Sequence, residues 1–263
     1  MRTPDLIALL YFAYIGVAAL TVRGVPAKRR ARVAVLALLA MAAVAAATRG
    51  VVLPQRIHDW LPAIWLLLGY WLPGGLLHAP MPGLEAWLRA SDRWIQEWPS
   101  MRWARAMPAW LIALFELAYF LVHLFVPAGL AVLLLGGLDA ADSFWTPTLL
   151  AGYICYGTLP WLQSRPPRIV EGEAPATGVR DWNTRLLAHA SVQANTFPSG
   201  HVAVALVVAL VVFDWDPAAG LVFVPIALLI ATATVLRRYH YTADVALGFI
   251  VAVLCWAGSR GGL

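Results

Sequence analysis

The sequence predicts an all-α fold, a multi-pass bundle of transmembrane helices. One sign is composition: 61% of the 263 residues are hydrophobic and only 13% are charged, well beyond what the core of a soluble domain of this size requires. The other is how those residues are distributed. Several apolar runs approach or exceed the about 20 residues that carry a helix across about 30 Å of hydrocarbon, whereas a transmembrane barrel needs shorter alternating segments.

Eight spans follow in order, near 5–22, 31–48, 60–78, 108–136, 145–164, 200–214, 219–236 and 241–259. The first comes after Asp5 with no basic flank, which marks an uncleaved helix rather than a signal peptide. Between the third and fourth spans, Leu84, Trp87, Leu88, Trp94, Ile95 and Trp98 share one helical face, while Glu85, Arg89, Asp92, Arg93 and Glu97 lie elsewhere. Tryptophans on such a face suit the headgroup level, so an interfacial helix is expected there. The longest polar stretch, 165–199, carries Glu171, Glu173, Arg180, Asp181, Arg185 and His189. A connection of that length in a compact protein is usually functional. Cys155 and Cys255 each lie inside an apolar run and act as small packing residues, not as a disulfide or zinc framework.

A net charge of +5 raises the question of nucleic acid, but the arginines fall between apolar runs and no basic-aromatic module surrounds them. The expected partners are the bilayer and a lipid-borne phosphate, with no nucleic acid. With alternate loops on opposite faces, one side collects 15 lysines and arginines against four on the other. That split favours the cytoplasmic face for the long loop of a multi-pass cell-membrane protein, with the side of the site left open. Setting aside the six arginines of 165–185 and 237–238, which have phosphate binding as a second reason to be there, leaves nine against four.

Three clusters carry the chemistry, all on one side of this topology. Asn195-Thr196-Phe197-Pro198-Ser199-Gly200-His201 precedes an apolar run, so Pro198, Ser199 and Gly200 mark a helix start whose free N–H groups and positive dipole favour an anion. His201 projects from the first turn, where it can protonate a departing ester oxygen; a plain Ser199 N-cap with a snorkelling histidine is the bland alternative. Arg237-Arg238-Tyr239-His240-Tyr241-Thr242-Ala243-Asp244 opens the last span. His240 and Asp244, four apart, share a helical face, and a carboxylate on one ring nitrogen leaves the other as a nucleophile. A carboxylate entering an apolar helix is costly and so points to function. Arg165-Pro166-Pro167-Arg168 follows the fifth span. Its prolines stop the helix and hold two guanidiniums at the membrane surface, where they suit phosphate oxygens or serve as a topological anchor.

Taken together, the segments describe phosphoryl transfer without a metal or cofactor: His240 attacks phosphorus, His201 protonates the leaving oxygen, and a phosphohistidine intermediate forms. In their order and spacing across roughly 80 residues, RPPR at 165–168, PSGH at 198–201 and HYTAD at 240–244 resemble the signature of the type 2 phosphatidic acid phosphatase superfamily. The resemblance implies His240 as nucleophile, Asp244 as its orienting partner, His201 as acid, and Arg165, Ser199 and Gly200 as phosphate holders. It also implies a six-helix core in 60–263, with residues 1–59 as about two additional N-terminal spans, and more often an outward-facing site. The usual lysine and arginine of the first and third motifs are replaced by Thr158 and Thr234, with Arg168 and Arg238 as candidate substitutes. These forms are similar to the inositol phosphorylceramide synthase branch, which transfers a headgroup to another lipid, so hydrolysis and transfer both stay open. So does a binder or transporter that has lost turnover; a soluble haloperoxidase-like enzyme conflicts with the spans.

Elsewhere, Glu116 and His123 are seven apart on one face of the fourth span with Tyr119 between them, either contacting substrate or bracing helices. Asp214 and Asp216 beside Pro217 read as a helix-end turn, and His189 as a surface histidine.

Overall fold

Aliphatic runs without alternation satisfy their backbone within one segment, as helices must in lipid. The computed structural model describes residues 1–49, 54–97, 106–137, 140–172 and 178–260. Among them it has eleven helices and a single isolated bridge between Ser164 and Asn195. In order they are α1 (Thr3–Thr21), α2 (Ala27–Arg49), α3 (Gln55–Gly74), α4 (Pro82–Gln96), α5 (Ala109–Leu135), α6 (Ala141–Tyr156), α7 (Pro167–Val170), α8 (Val179–Ala190), α9 (Gly200–Trp215), α10 (Pro217–Leu236) and α11 (Thr242–Arg260). Each of the eight expected spans meets a helix, and the fold is an all-α membrane bundle. Trp98, Arg102, Arg105 and Glu173 lie outside the described residues.

Five helices, α1, α2, α5, α10 and α11, are long and apolar enough to cross a membrane. The others depart from simple spans for physical reasons. α3 opens with Arg56, His58 and Asp59. α6 starts at Ala141 and ends at Tyr156, not at 164: Gly157 closes it by donating to the Tyr153 carbonyl at 2.8 Å, and Pro160 follows in a turn. α9 has only 16 residues and is apolar all round, the mark of a helix buried within protein. Its residues from Val202 to Ala209 are all buried, and α5, α6, α10 and α11 pack around it.

The N-terminal pair is joined firmly to this core. Tyr11 stacks on Tyr153 with centroids 3.9 Å apart and donates to the Gly69 carbonyl at 2.8 Å. A Cβ on Gly69 would meet the Tyr153 ring at 2.3 Å, so the stack depends on glycine there. One end of the bundle is marked by Arg2, which pairs with Asp59 at 3.0 Å and with Asp142, and by Asp214, which accepts from Trp256 Nε1 at 2.7 Å. Asp216 accepts from the Ala219 amide and caps α10, the turn expected of it.

The opposite end carries α4, whose acids lie off the tryptophan face as expected but on its buried side. Glu85 and Asp92 do not lie toward water. With Leu88 they form the buried side of α4, at 4%, 1% and 0% exposure, while Trp87 and Trp94 are more than half exposed. The tryptophans lie on the outer side, while the carboxylates face inward to arginines, Glu85 to Arg165 and Asp92 to Arg238.

Candidate active site

The start of α9 and the start of α11 are drawn together at this end. Gly248 lets them approach: a Cβ on it would fall 2.9 Å from the Ser199 carbonyl oxygen. The Ser199 amide donates to the Asp244 carbonyl at 3.0 Å, and the Ser199 hydroxyl accepts from the Val202 amide at 3.4 Å. Ser199 is therefore an N-cap, fully buried. Thr196 Oγ1 takes the Gly200 amide at 3.1 Å, so this amide is satisfied from within the chain.

The consequence is a chain of three polar groups. His201 Nδ1 lies 3.2 Å from His240 Nε2, and His240 Nδ1 lies 3.4 Å from Asp244 Oδ2. Asp244 is fully buried and His240 nearly so. Asp244 Oδ2 also accepts the Tyr241 amide at 2.9 Å. A carboxylate facing Nδ1 selects the tautomer with its proton there, leaving the His240 Nε2 lone pair directed at His201.

The loop bearing His240 is held from several sides. Arg238 adopts φ +65°, the left-handed region that costs a side-chain-bearing residue about 1–2 kcal/mol. Its carbonyl accepts the Arg168 amide at 3.0 Å. Its guanidinium donates to Asp92 at 2.7 Å and to Glu171 at 3.1 Å. Asp92 also takes the Thr242 amide at 2.8 Å, capping α11 from a neighbouring helix. The amides of Tyr239 and His240 both donate to the Thr234 carbonyl, at 2.9 and 3.0 Å. Tyr239 stacks on Tyr119 at 3.6 Å, and the Tyr119 ring lies 5.5 Å from that of His201.

In front of the histidines is a cavity of about 330 Å³. His201, His240, Arg168, Asn195 and Thr196 line its polar side, and α3 and α5 supply an apolar side through Leu66, Leu67, Val122 and Val126. α7 and α8 border it through Arg168, Leu187 and Ala190. Trp71 Nε1 donates to the Ala190 carbonyl at 2.8 Å, and Tyr70 meets Ser191 at 3.2 Å. His123 lines this cavity too, its ring 6.0 Å from that of His201. Glu116 is turned away from it into a separate network.

The sequence candidates thus divide. His201, His240, Gly200 and Arg168 border the cavity, with Asp244 directly behind His240. Arg165 and Arg238 do not border it: Arg165 gives Glu85 a two-pronged contact at 3.0 and 2.9 Å, and Arg238 is clasped as described. The Thr158 and Thr234 hydroxyls bond back to the Cys155 and Ala231 carbonyls at 2.7 Å. His189 bonds back to the Arg185 carbonyl at 2.8 Å on the surface. Glu85, Asp92 and Asn195 escaped the sequence reading. The one available signal was that Glu85 and Asp92, seven apart, share a face of α4.

Hydrogen bonding from the Arg165 guanidinium, ahead of the opposing cost of burial, holds the Glu85 carboxyl below the usual range. A depressed carboxylate contributes stability that is present above its unfolded value, about 4.3, and is lost as pH falls through its lower folded value. Melting curves in detergent are expected to show a weaker loss of stability on the acid side of about pH 4 for Glu85→Gln than for the wild type. Gly248→Ala tests the approach of the two helices. By displacing the Ser199 carbonyl it should separate His201 from His240 and lower turnover roughly 100-fold, the scale of a misplacement of about 1 Å, in any assay that follows phosphate.

A membrane-embedded helical bundle with paired histidines on the polar side of a mainly apolar cavity is the class that this geometry defines. Residues 86–258 match the PAP2 superfamily, and the chain belongs to it. A PA-phosphatase related-family protein of Dictyostelium discoideum is 40% identical over 60 residues, 23% of this chain and 11% of that protein, so the match spans about a tenth of the relative's length. No solved structure matches the chain.

Proposed function

We propose that the chain is an integral membrane lipid phosphatase or phosphotransferase working through a phosphohistidine on His240. The observation that supports this most is the alignment of His201 Nδ1, His240 Nε2 and Asp244 at 3.2 and 3.4 Å on the edge of a cavity that is polar on one side and apolar on the other. The lipid phosphate enters with its chain toward α3 and α5 and its phosphate beside Arg168. His240 Nε2 forms a bond to phosphorus as the ester O–P bond breaks, and the His201 proton goes to the departing oxygen, releasing the lipid alcohol. Asp244 holds the Nδ1 proton and balances the charge that develops on the ring. In the second half, His201 takes a proton from the incoming hydroxyl, whose oxygen bonds to phosphorus as the N–P bond breaks. Gly200 and Ser199 shape the helix start against the phosphate. Arg165 and Arg238 add positive potential from behind while Glu85, Asp92 and Glu171 hold them.

Water as acceptor makes the protein a phosphatase; a second lipid's hydroxyl makes it a headgroup transferase of the inositol phosphorylceramide synthase type. One assay reads both. Purified protein is given radiolabelled lipid phosphates, with and without a lipid alcohol, and label is followed into free phosphate and into new lipid. Turnover that disappears in Asp244→Asn and His201→Ala is the expected result. Saturable binding with neither product would instead identify a lipid-phosphate binder or transporter and overturn the enzymatic reading.

A further inference from the structure

A second groove lies along the seam of α2 and α3. The two helices touch where Val33 meets Gly75, so closely that a Cβ on Gly75 would fall 2.4 Å from Val33 Cγ2. The same seam forms a groove of about 550 Å³, with Leu36, Leu39, Ala43 and Leu68 along its length and Arg29 and Arg32 at one end. Trp71 borders both this groove and the catalytic cavity.

The charges explain what the groove is for. Arg165, Arg180, Arg237 and Arg238 each face a carboxylate. By contrast, residues 23–48 contain Arg23, Lys28, Arg29, Arg30 and Arg32 and no acid at all, and among the described residues none of these five has an ion pair. Arg29 and Arg32 are three apart and so share a side of α2. Arg29 is oriented by donating to the Leu77 carbonyl at 3.1 Å, which leaves its remaining N–H groups for another acceptor, and Arg32 is exposed beside it. Guanidinium groups in such a pair match the geometry of a phosphate. Their place in the bundle suits a headgroup: the adjoining His78 amide donates to Gln163 at 2.7 Å, two residues before Arg165, so this end of the groove is level with the histidines.

We propose that the groove between α2 and α3 binds one anionic phospholipid of the surrounding bilayer, its phosphate held by Arg29 and Arg32 and an acyl chain lying along α2 toward Ala43. Lipid tails are as apolar as the groove, so the chain supplies fit but little preference. Selectivity comes from the headgroup charge, as basic pockets between membrane helices provide it. The site is independent of the histidine chemistry.

The test uses the full chain released from nanodiscs holding equal phosphatidylglycerol and phosphatidylcholine, with retained lipid counted by native mass spectrometry. One phosphatidylglycerol is expected to be retained at least about tenfold over phosphatidylcholine, a preference set by the charged headgroup. The exposed-residue variant Arg29→Gln/Arg32→Gln should erase that preference while its melting temperature and lipid-phosphate turnover stay at the wild-type level. Ala43→Trp, which fills the far end with the charges intact, should lower retention of the same lipid. Equal retention of the two lipids, or a preference unchanged in the double variant, means annular lipid only and overturns the site. Retention unchanged by Ala43→Trp overturns the placement of the chain.

Discussion

His240→Ala should abolish turnover, with a loss of roughly 10⁴-fold or more, the scale seen when the nucleophile of a coupled catalytic set is removed. The magnitude follows from what Nε2 does in both halves of the reaction: it makes the bond to phosphorus that breaks the ester, and it is the group expelled when the acceptor arrives. His201 cannot take its place, since its Nδ1 faces His240 Nε2 at 3.2 Å and the rings around it are those of Tyr119, His123 and His240, with no carboxylate among the described residues hydrogen-bonded to it. The variant should fold, because His240 is held by backbone bonds to Thr234 that alanine preserves. A rapid alkaline quench on radiolabelled substrate gives the complementary reading, since a phosphohistidine survives base. Label on the wild-type chain and none on His240→Ala is the expected result, and unchanged turnover in the variant would remove His240 from the mechanism.

The motif histidines were legible because their neighbours restrict them. Ser199 can cap only a helix starting at Gly200, and Asp244 can reach His240 only if α11 has begun. Spans were legible for the same kind of reason, since α1, α2, α5, α10 and α11 must satisfy their own backbones in lipid. What was hidden depends on partners distant in sequence. Nothing within 82–96 says that Glu85 will turn toward Arg165, eighty residues on, or that Asp92 will cap α11. A helix with tryptophans on one face and acids on another has two readings, and tertiary partners decide between them. The phosphate cations were ambiguous likewise: of Arg165, Arg168 and Arg238, only Arg168 borders the cavity, while Arg165 turns to Glu85 and Arg238 to Asp92 and Glu171.

Glu116→Gln should be the most destabilising single change away from the histidines, by about 3–5 kcal/mol, because it leaves buried positive charge without its counter-ion. Glu116 is 1% exposed and accepts four hydrogen bonds from other parts of the chain. They come from Arg180 at 2.9 Å, Arg237 at 2.7 Å, Asn183 at 2.9 Å and the Tyr239 hydroxyl at 2.6 Å. One carboxylate thereby ties α5 to α8, to the end of α10 and to the residue preceding His240, which is the bracing role for this residue rather than substrate contact. A glutamine keeps the shape but removes the charge that two guanidiniums share, and it cannot accept from all four donors. Melting temperature in detergent reads the stability loss. Tyr239→Phe separates the two consequences: it keeps both ion pairs and the Tyr119 stack and removes only the hydroxyl bond. It should therefore melt within about 1.5 kcal/mol of the wild type while still lowering turnover, whereas a wild-type rate in Tyr239→Phe would show that the Glu116 network supports the fold without positioning His240.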